Sequence, residues 1–309
     1  MNTEQLIEFI EIKYGFKANA SVLRDGPDNM VWTLDCADSK KYIARVSKRE
    51  IKDDIVFEAE WLRYLRAKNV SVAPIINTLS GSAYSIAPTG KAVTIFGFVP
   101  GHHISMSQDT PIPIKAVTSA ARALARIHDV SRDHKIDLPR SRTIFMEMER
   151  ALDMADDIEE KIPGGKQFMM EVKEYESWAR KYSFTPVLVH NDYRVGNILF
   201  DDTEEVTAVI DFDWCCLGPA IKDVAHTLIE WSLPDKSTKH FKEVFEAFLK
   251  AYNDAVSEPI MDDDVLYRWI SFATLSDVCT YIVDRLNNGE IKAISSCYMY
   301  KKFELGHDY

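Results

Sequence analysis

Val189-His190-Asn191-Asp192-Tyr193-Arg194-Val195-Gly196-Asn197-Ile198-Leu199-Phe200 is followed, after a short acidic turn, by Val209-Ile210-Asp211-Phe212-Asp213-Trp214. Apolar runs of strand type enclose three polar groups. Asp192 and Asn197 stand five apart on one loop, and Asp211 opens the next loop 19 residues after Asp192. A single acid at a strand end is a common turn cap. Two acids and an amide at these intervals, each after a short apolar strand, read as one constellation.

Phosphoryl transfer uses these side-chain types. One carboxylate orients the attacking hydroxyl and accepts its proton, while an amide oxygen and a second carboxylate hold Mg²⁺ on the phosphates. The order His-x-Asp-x-x-x-x-Asn and then Asp-Phe-Gly is the kinase pattern. This chain matches it throughout, with Asp213 at the glycine position.

The upstream residues agree. Tyr42-Ile43-Ala44-Arg45-Val46 reads as a strand that carries a cation where Val-Ala-Ile-Lys carries its Lys. Glu58 follows 13 residues later on a predicted helix, Ile55 to Lys68, and Glu60 is its rival on another face. A cation held by a helical carboxylate and aimed at the nucleotide phosphates is the geometry a kinase needs.

On these motifs the chain resembles the aminoglycoside phosphotransferase and choline kinase superfamily, small-molecule kinases with a protein-kinase-like fold. Gly218-Pro219 and Asp223 resemble the segment after the metal aspartate, and Phe96-Gly97-Phe98-Val99-Pro100-Gly101 resembles the hinge. The resemblance implies an α+β, bilobal fold with a five-stranded antiparallel N-lobe over 1–99 and a mainly helical C-lobe over 100–309. It implies Asp192 as catalytic base and Asn197 and Asp211 as Mg²⁺ ligands. It places Arg45 on the phosphates of ATP, Glu58 as its positioner, and the backbone of Gly97 and Val99 on adenine. Arg194 has two readings, charge neutralisation on the transferred phosphoryl or pairing with an acid. Asp213, Trp214, Tyr281 and Asp284, with Arg285, are candidates for the acceptor pocket.

Three departures stand out. Arg replaces Lys at 45, and the two differ in fork geometry. The phosphate loop Asp25-Gly26-Pro27-Asp28-Asn29 has one glycine and two acids. Asn191 precedes the base where many relatives have Gly, although Asn tolerates left-handed backbone.

The rest of the chain sets the frame. It has 309 residues, 46% hydrophobic and 28% charged, which is globular composition. Asn2 caps a first helix that Gly15 stops, and strands follow at 21–24, 30–34, 72–76 and 92–99. Val117, Ala120, Ala121, Leu124 and Ile127 form one helical stripe after Pro113. Residues 143–181 read as one charged amphipathic helix, and further helices are expected at 221–232, 238–256 and 262–287.

Residues 1–99 carry 13 basic and 12 acidic side chains, and residues 100–309 carry 24 and 36. The net charge of −11 argues against nucleic acid or an anionic membrane as partner. Five cysteines without Cys-x-x-Cys read as reduced thiols, hence a cytoplasmic protein. His128 reads as a hydrogen-bonded helix-end residue, and Cys215 and Cys216 as buried packing. The acid-rich second part, with its aromatics, favours an aminoglycoside-like or other amino-bearing alcohol as acceptor. Homoserine, choline or sugar kinases on the same fold are the alternatives, and a nucleotide-binding module without catalysis is the alternative of another class.

Overall fold

The computed structural model describes residues 1–26, 28–48, 52–107, 109–234 and 239–306. Pro27 of the glycine-poor loop and Thr238, the expected start of a helix, lie outside them. Two compact units form: Met1–Gly101 with His134–Ser141 and Thr207–Asp213, and the remainder of the chain.

The first unit opens with α1 (Thr3–Tyr14). Asn2 accepts from the Gln5 N–H and the Gln5 side chain accepts from the Asn2 N–H, a reciprocal cap. Gly15 ends the helix in the left-handed region, φ 79°. Strands β1 (Ala18–Asp25), β2 (Asn29–Cys36) and β3 (Lys41–Ser47) make an antiparallel meander. Helix α2 (Lys52–Ala67) precedes β4 (Ile75–Ile76), β5 (Ser85–Ile86) and β6 (Ala92–Gly97).

The antiparallel sheet runs β1-β2-β3-β6-β4, five strands as expected, and a sixth of two residues, β5, pairs with β6. The expected strand at 72–76 shrinks to Ile75–Ile76. Pro74 cannot donate to a ladder, and Val72 instead bridges Val209 in parallel. Leu6, Phe9, Ile10 and Tyr14 of α1 pack with Trp32, Leu34, Ala44, Val93 and Ile95 of the sheet. Each Leu, Ile, Val or Phe among them contributes roughly 1.5–3 kcal/mol on burial.

The second unit is mainly helical. Helix α3 (Ile114–Ser131) buries its whole predicted stripe and packs on the helix Lys242–Asn253. The single helix expected at 143–181 is three: α4 (Met146–Asp153), α5 (Ala155–Lys161) and α6 (Gly165–Lys181). Pro163-Gly164 breaks it, because Gly164 takes φ 88° and Pro removes a donor. Short strands β7 (Val187–Val189), β8 (Ile198–Phe200), β9 (Val206–Val209) and β10 (Cys216–Gly218) carry the loops, with β7 antiparallel to β10. Helices α7 (Ala220–Ser232), α8 (Lys242–Asn253), α9 (Asp264–Asn287) and α10 (Tyr298–Gly306) complete it. Among the described residues no helix is long and apolar enough to cross a membrane.

Candidate active site

Arg45 lies on β3 opposite Val31 and Thr94. Its guanidinium pairs with both carboxylate oxygens of Glu58, Nη1 to Oε1 at 3.0 Å and Nη2 to Oε2. Both residues are buried, 7% and 2% exposed. Burial alone would lower the Arg45 pKa, but the carboxylates of Glu58, Asp213 and Asp211 outweigh it and raise it. Burial pushes Glu58 up, and Arg45 opposes that shift. Arg45 is charged in this pair. The rival Glu60 pairs with Arg63 on the same helix.

Asp211 brings its Oδ1 to 4.0 Å from Arg45 Nη1, and its side chain is 38% exposed. Its φ is 64°, left-handed and unusual for a residue with a Cβ. Two residues on, Asp213 is 3% exposed and its Oδ2 accepts from Asn29 Nδ2 at 3.3 Å. Asp213 also acts electrostatically on Arg45 and Glu58. At the tip of the β1–β2 hairpin, Lys48 Nζ contacts Asp25 Oδ1 and the Gly26 carbonyl, each at 2.6 Å. A cation therefore offsets one of the acids that made this loop unpromising as a phosphate cradle.

The hinge-like stretch ends β6. The Gly97 N–H donates to the Pro74 carbonyl at 2.7 Å, and a Cβ at Gly97 would stand 2.6 Å from Pro74 Cγ. Val99 follows, half-buried.

In the second unit, the His190–Asn197 loop leaves the buried strand β7. Asn191 takes φ 64°, the conformation that a Gly there would supply freely. Asp192 Oδ1 is 2.6 Å from Arg194 Nε, and its Oδ2 accepts from Arg194 Nη2 at 3.0 Å. Asn197 Nδ2 donates to the Asp192 carbonyl at 2.8 Å and to Oδ2 at 2.9 Å. Both bonds are donations from the amide nitrogen, which leaves Oδ1 on the other side as an oxygen donor. Partial burial would lower the Arg194 pKa, but Asp192, with Glu230 and Asp277 behind it, raises it.

Asp223 on α7 braces this loop. It accepts from the N–H groups of His190 at 2.7 Å and Asn191 at 2.8 Å, and from His128 Nε2 at 3.1 Å. A carboxylate only accepts, so His128 donates from Nε2 and receives the Tyr252 hydroxyl on Nδ1 at 2.8 Å. Burial opposes ionisation of Asp223, yet the His128 hydrogen bond, with His190 and Lys222 nearby, holds it down at about 2. Lys222 donates from Nζ to Asn191 Oδ1.

The acceptor candidates have other partners. Trp214 lies under the Arg142 guanidinium, 3.6 Å from its ring centre. Tyr281 lies under Arg285 at 4.5 Å, and Asp284 pairs with Arg150 at 2.7 Å. Sequence reasoning missed Arg140, Lys222 and Asn29, and it saw Asp223 only as part of a motif. Arg140 is remote along the chain from Asp54, Phe57 and Asp213, so no local pattern could reveal these contacts.

Comparison with known proteins agrees with this chemistry. A sequence model described as the phosphotransferase enzyme family matches residues 19–260. An amicoumacin kinase of Bacillus subtilis (strain 168) is 24% identical over 264 residues, which are 81% of this chain and 76% of that protein. The solved structure of an amicoumacin kinase with AMP-PNP, Ca²⁺ and its antibiotic is similar at TM-score 0.78 and 19% identity. That likeness covers 100% of this chain and 94% of the other. A spectinomycin phosphotransferase with ADP and spectinomycin gives 0.64 at 17% identity, covering 98% and 94%. A choline kinase of Cryptosporidium parvum Iowa II gives 0.66 at 15%, covering 99% and 95%.

Proposed function

The chain belongs to the phosphotransferase enzyme family, and we propose that it moves the γ-phosphate of ATP to a hydroxyl of a small amino-bearing molecule. It is a small-molecule kinase. The observation that carries the nucleotide half is the meeting of Arg45, Glu58 and Asp211 in the first unit.

The residues present fit Mg²⁺. Asn197 Oδ1 and the part-exposed Asp211 carboxylate are hard oxygen donors of the type it takes. When bound, Mg²⁺ would neutralise charge on the β- and γ-phosphates. Arg45, fixed by Glu58, would contact the α- and β-phosphates. Gly97 would offer adenine its carbonyl, since its N–H goes to Pro74, and Val99 would offer its N–H. Asp192 would orient the acceptor hydroxyl and take its proton as the oxygen attacks the γ-phosphorus. The bond to the bridging oxygen then breaks and ADP leaves. Arg194 holds Asp192 in place before the acceptor arrives.

The acceptor class rests on the acid excess of residues 100–309 and on the amicoumacin and spectinomycin kinases this chain resembles. Five thiols and an ATP-consuming reaction support a cytoplasmic setting. The test is ADP release with Mg-ATP against amicoumacin, spectinomycin, aminoglycosides, macrolides, choline, ethanolamine, homoserine, and sugars with and without an amine. Selective turnover of an amino-bearing compound is expected. Turnover of sugars without an amine would overturn the acceptor class, and failure to bind Mg-ATP would overturn the nucleotide assignment.

A further inference from the structure

Residues His134–Ser141 follow α3 in the chain, yet they group with the first unit. Arg140 ends this excursion and grips two elements. Its Nη2 donates to the Asp213 carbonyl at 2.7 Å, and its Nη1 donates to the Asp54 carbonyl at 3.2 Å. Asp54 Oδ1 lies 3.5 Å from the same Nη1. The carboxylate of Asp54 is held in turn by Ser141, whose N–H donates to Oδ1 at 2.7 Å and whose hydroxyl donates to Oδ2. The guanidinium lies 5.2 Å from the Phe57 ring centre. The Arg140 and Asp54 side chains are 7% and 2% exposed.

Asp54 and Phe57 belong to the first turns of α2, which carries Glu58. Asp213 belongs to the loop that Asp211 opens. We propose that Arg140 is a positioning residue for the nucleotide machinery. It ties the start of α2 to the Asp211–Asp213 loop, and so fixes the Asp211 carboxylate relative to the Arg45–Glu58 pair. The physical case is one of rigidity. Asp211 is held in a left-handed conformation and needs external support to keep it. Arg140 supplies a planar fork with one arm on each element, a geometry that Lys cannot reproduce. The inference rests on the nucleotide reading above.

The experiment is titration calorimetry of the full chain with AMP-PNP, with and without Mg²⁺. The ratio of the two affinities measures the coupling between metal and nucleotide. Arg140→Met keeps an unbranched side chain and removes the guanidinium donors, and Arg140→Lys keeps the charge without the fork. Circular dichroism verifies that each variant is folded. Arg140→Met is expected to cut the Mg²⁺-dependent tightening by about tenfold, with Arg140→Lys between it and the parent chain.

A merely structural role would lower the melting temperature without changing that ratio. In an Asp211→Asn background, Arg140→Met should have almost no further effect on the ratio, because it acts through the same loop. If Arg140→Met fails to fold, Ser141→Ala, which loosens Asp54 alone, is expected to reduce the ratio partially. A parent-like ratio in the folded Arg variant, or in Ser141→Ala where that variant stands in, would overturn the proposal by itself. Absence of Mg²⁺-dependent binding in the parent chain would sink the nucleotide reading and this proposal with it.

Discussion

Asp192 and Arg194 form a two-point pair within one loop, Oδ1 to Nε at 2.6 Å and Oδ2 to Nη2 at 3.0 Å. Asn197 adds a third donor to Oδ2. The proposed base is therefore held in one orientation before any substrate arrives, and an incoming hydroxyl must share an oxygen with these donors.

Asp192→Asn should lower kcat by about 10²–10⁴-fold, the usual contribution of a positioned base. The Kd for AMP-PNP with Mg²⁺ should hardly move, since Asp192 does not bind phosphate in this scheme. Arg194→Met should also slow turnover. Combined with Asp192→Asn it should add little, because Arg194 works through that carboxylate. Steady-state kinetics on the four combinations checks this. Independent, multiplying losses would assign Arg194 to the phosphoryl group instead.

Removing one partner of the buried Arg45–Glu58 pair strands a charge. Glu58→Ala should cost about 3–5 kcal/mol of stability, read by urea denaturation. The double variant Arg45→Met with Glu58→Met replaces both charges by apolar groups and should recover much of that loss. It should nevertheless fail to bind Mg-ATP. Recovery of stability together with nucleotide affinity would remove Arg45 from the phosphate site.

Asp223 carries a pH signature. Its pKa is held at about 2, below the usual 3.8. A depressed carboxyl stabilises the fold above its unfolded pKa, and the benefit fades as pH falls from near 4 towards 2. The shift corresponds to roughly 2 kcal/mol. The stability gap between the parent chain and Asp223→Asn should be full at pH 7 and shrink between pH 4 and pH 2.5. A gap independent of pH would mean that Asp223 acts through shape alone.

Gly97→Ala places a Cβ 2.6 Å from Pro74 Cγ. The strand must shift, at about 1–3 kcal/mol. Because Gly97 and Val99 are the proposed adenine contacts, KM for ATP should rise more than kcat falls. An unchanged KM would move the adenine site elsewhere.

Much of this was legible in the chain. Asn2, Gln5 and Gly15 announce α1 through local bonds, and the His190–Asn197 and Asp211–Trp214 stretches carry the kinase pattern in fixed spacing. Glu58 and Glu60 could be told apart only as lying on different helix faces, since residues two apart do not share one. Long-range relations were not legible. Nothing near residue 140 says that its side chain reaches Asp54 and Asp213, since that depends on where the chain returns in space. The helix expected at 143–181 failed at two breaks, Met154 and Pro163-Gly164. Pro163-Gly164 outweighs the apolar period on either side, and a periodicity argument averages over such a break. The acceptor residues were least legible, because their chemistry comes from scattered positions on separate helices.

The first unit is not one continuous length of chain. Its last pieces are His134–Ser141 and Thr207–Asp213. During synthesis, Met1–Gly101 therefore emerges well before its closing segments exist. At about 5–20 residues per second, the 112 residues from Gly101 to Asp213 take roughly 6–22 s to appear. Until residue 140 is made Asp54 has no Arg140, and until residue 209 is made Val72 has no Val209. Chains stalled near residue 110 should be open to protease within α2, and chains extended beyond residue 260 should resist it. The nucleotide half of this kinase is thus completed only after much of the other half has been made.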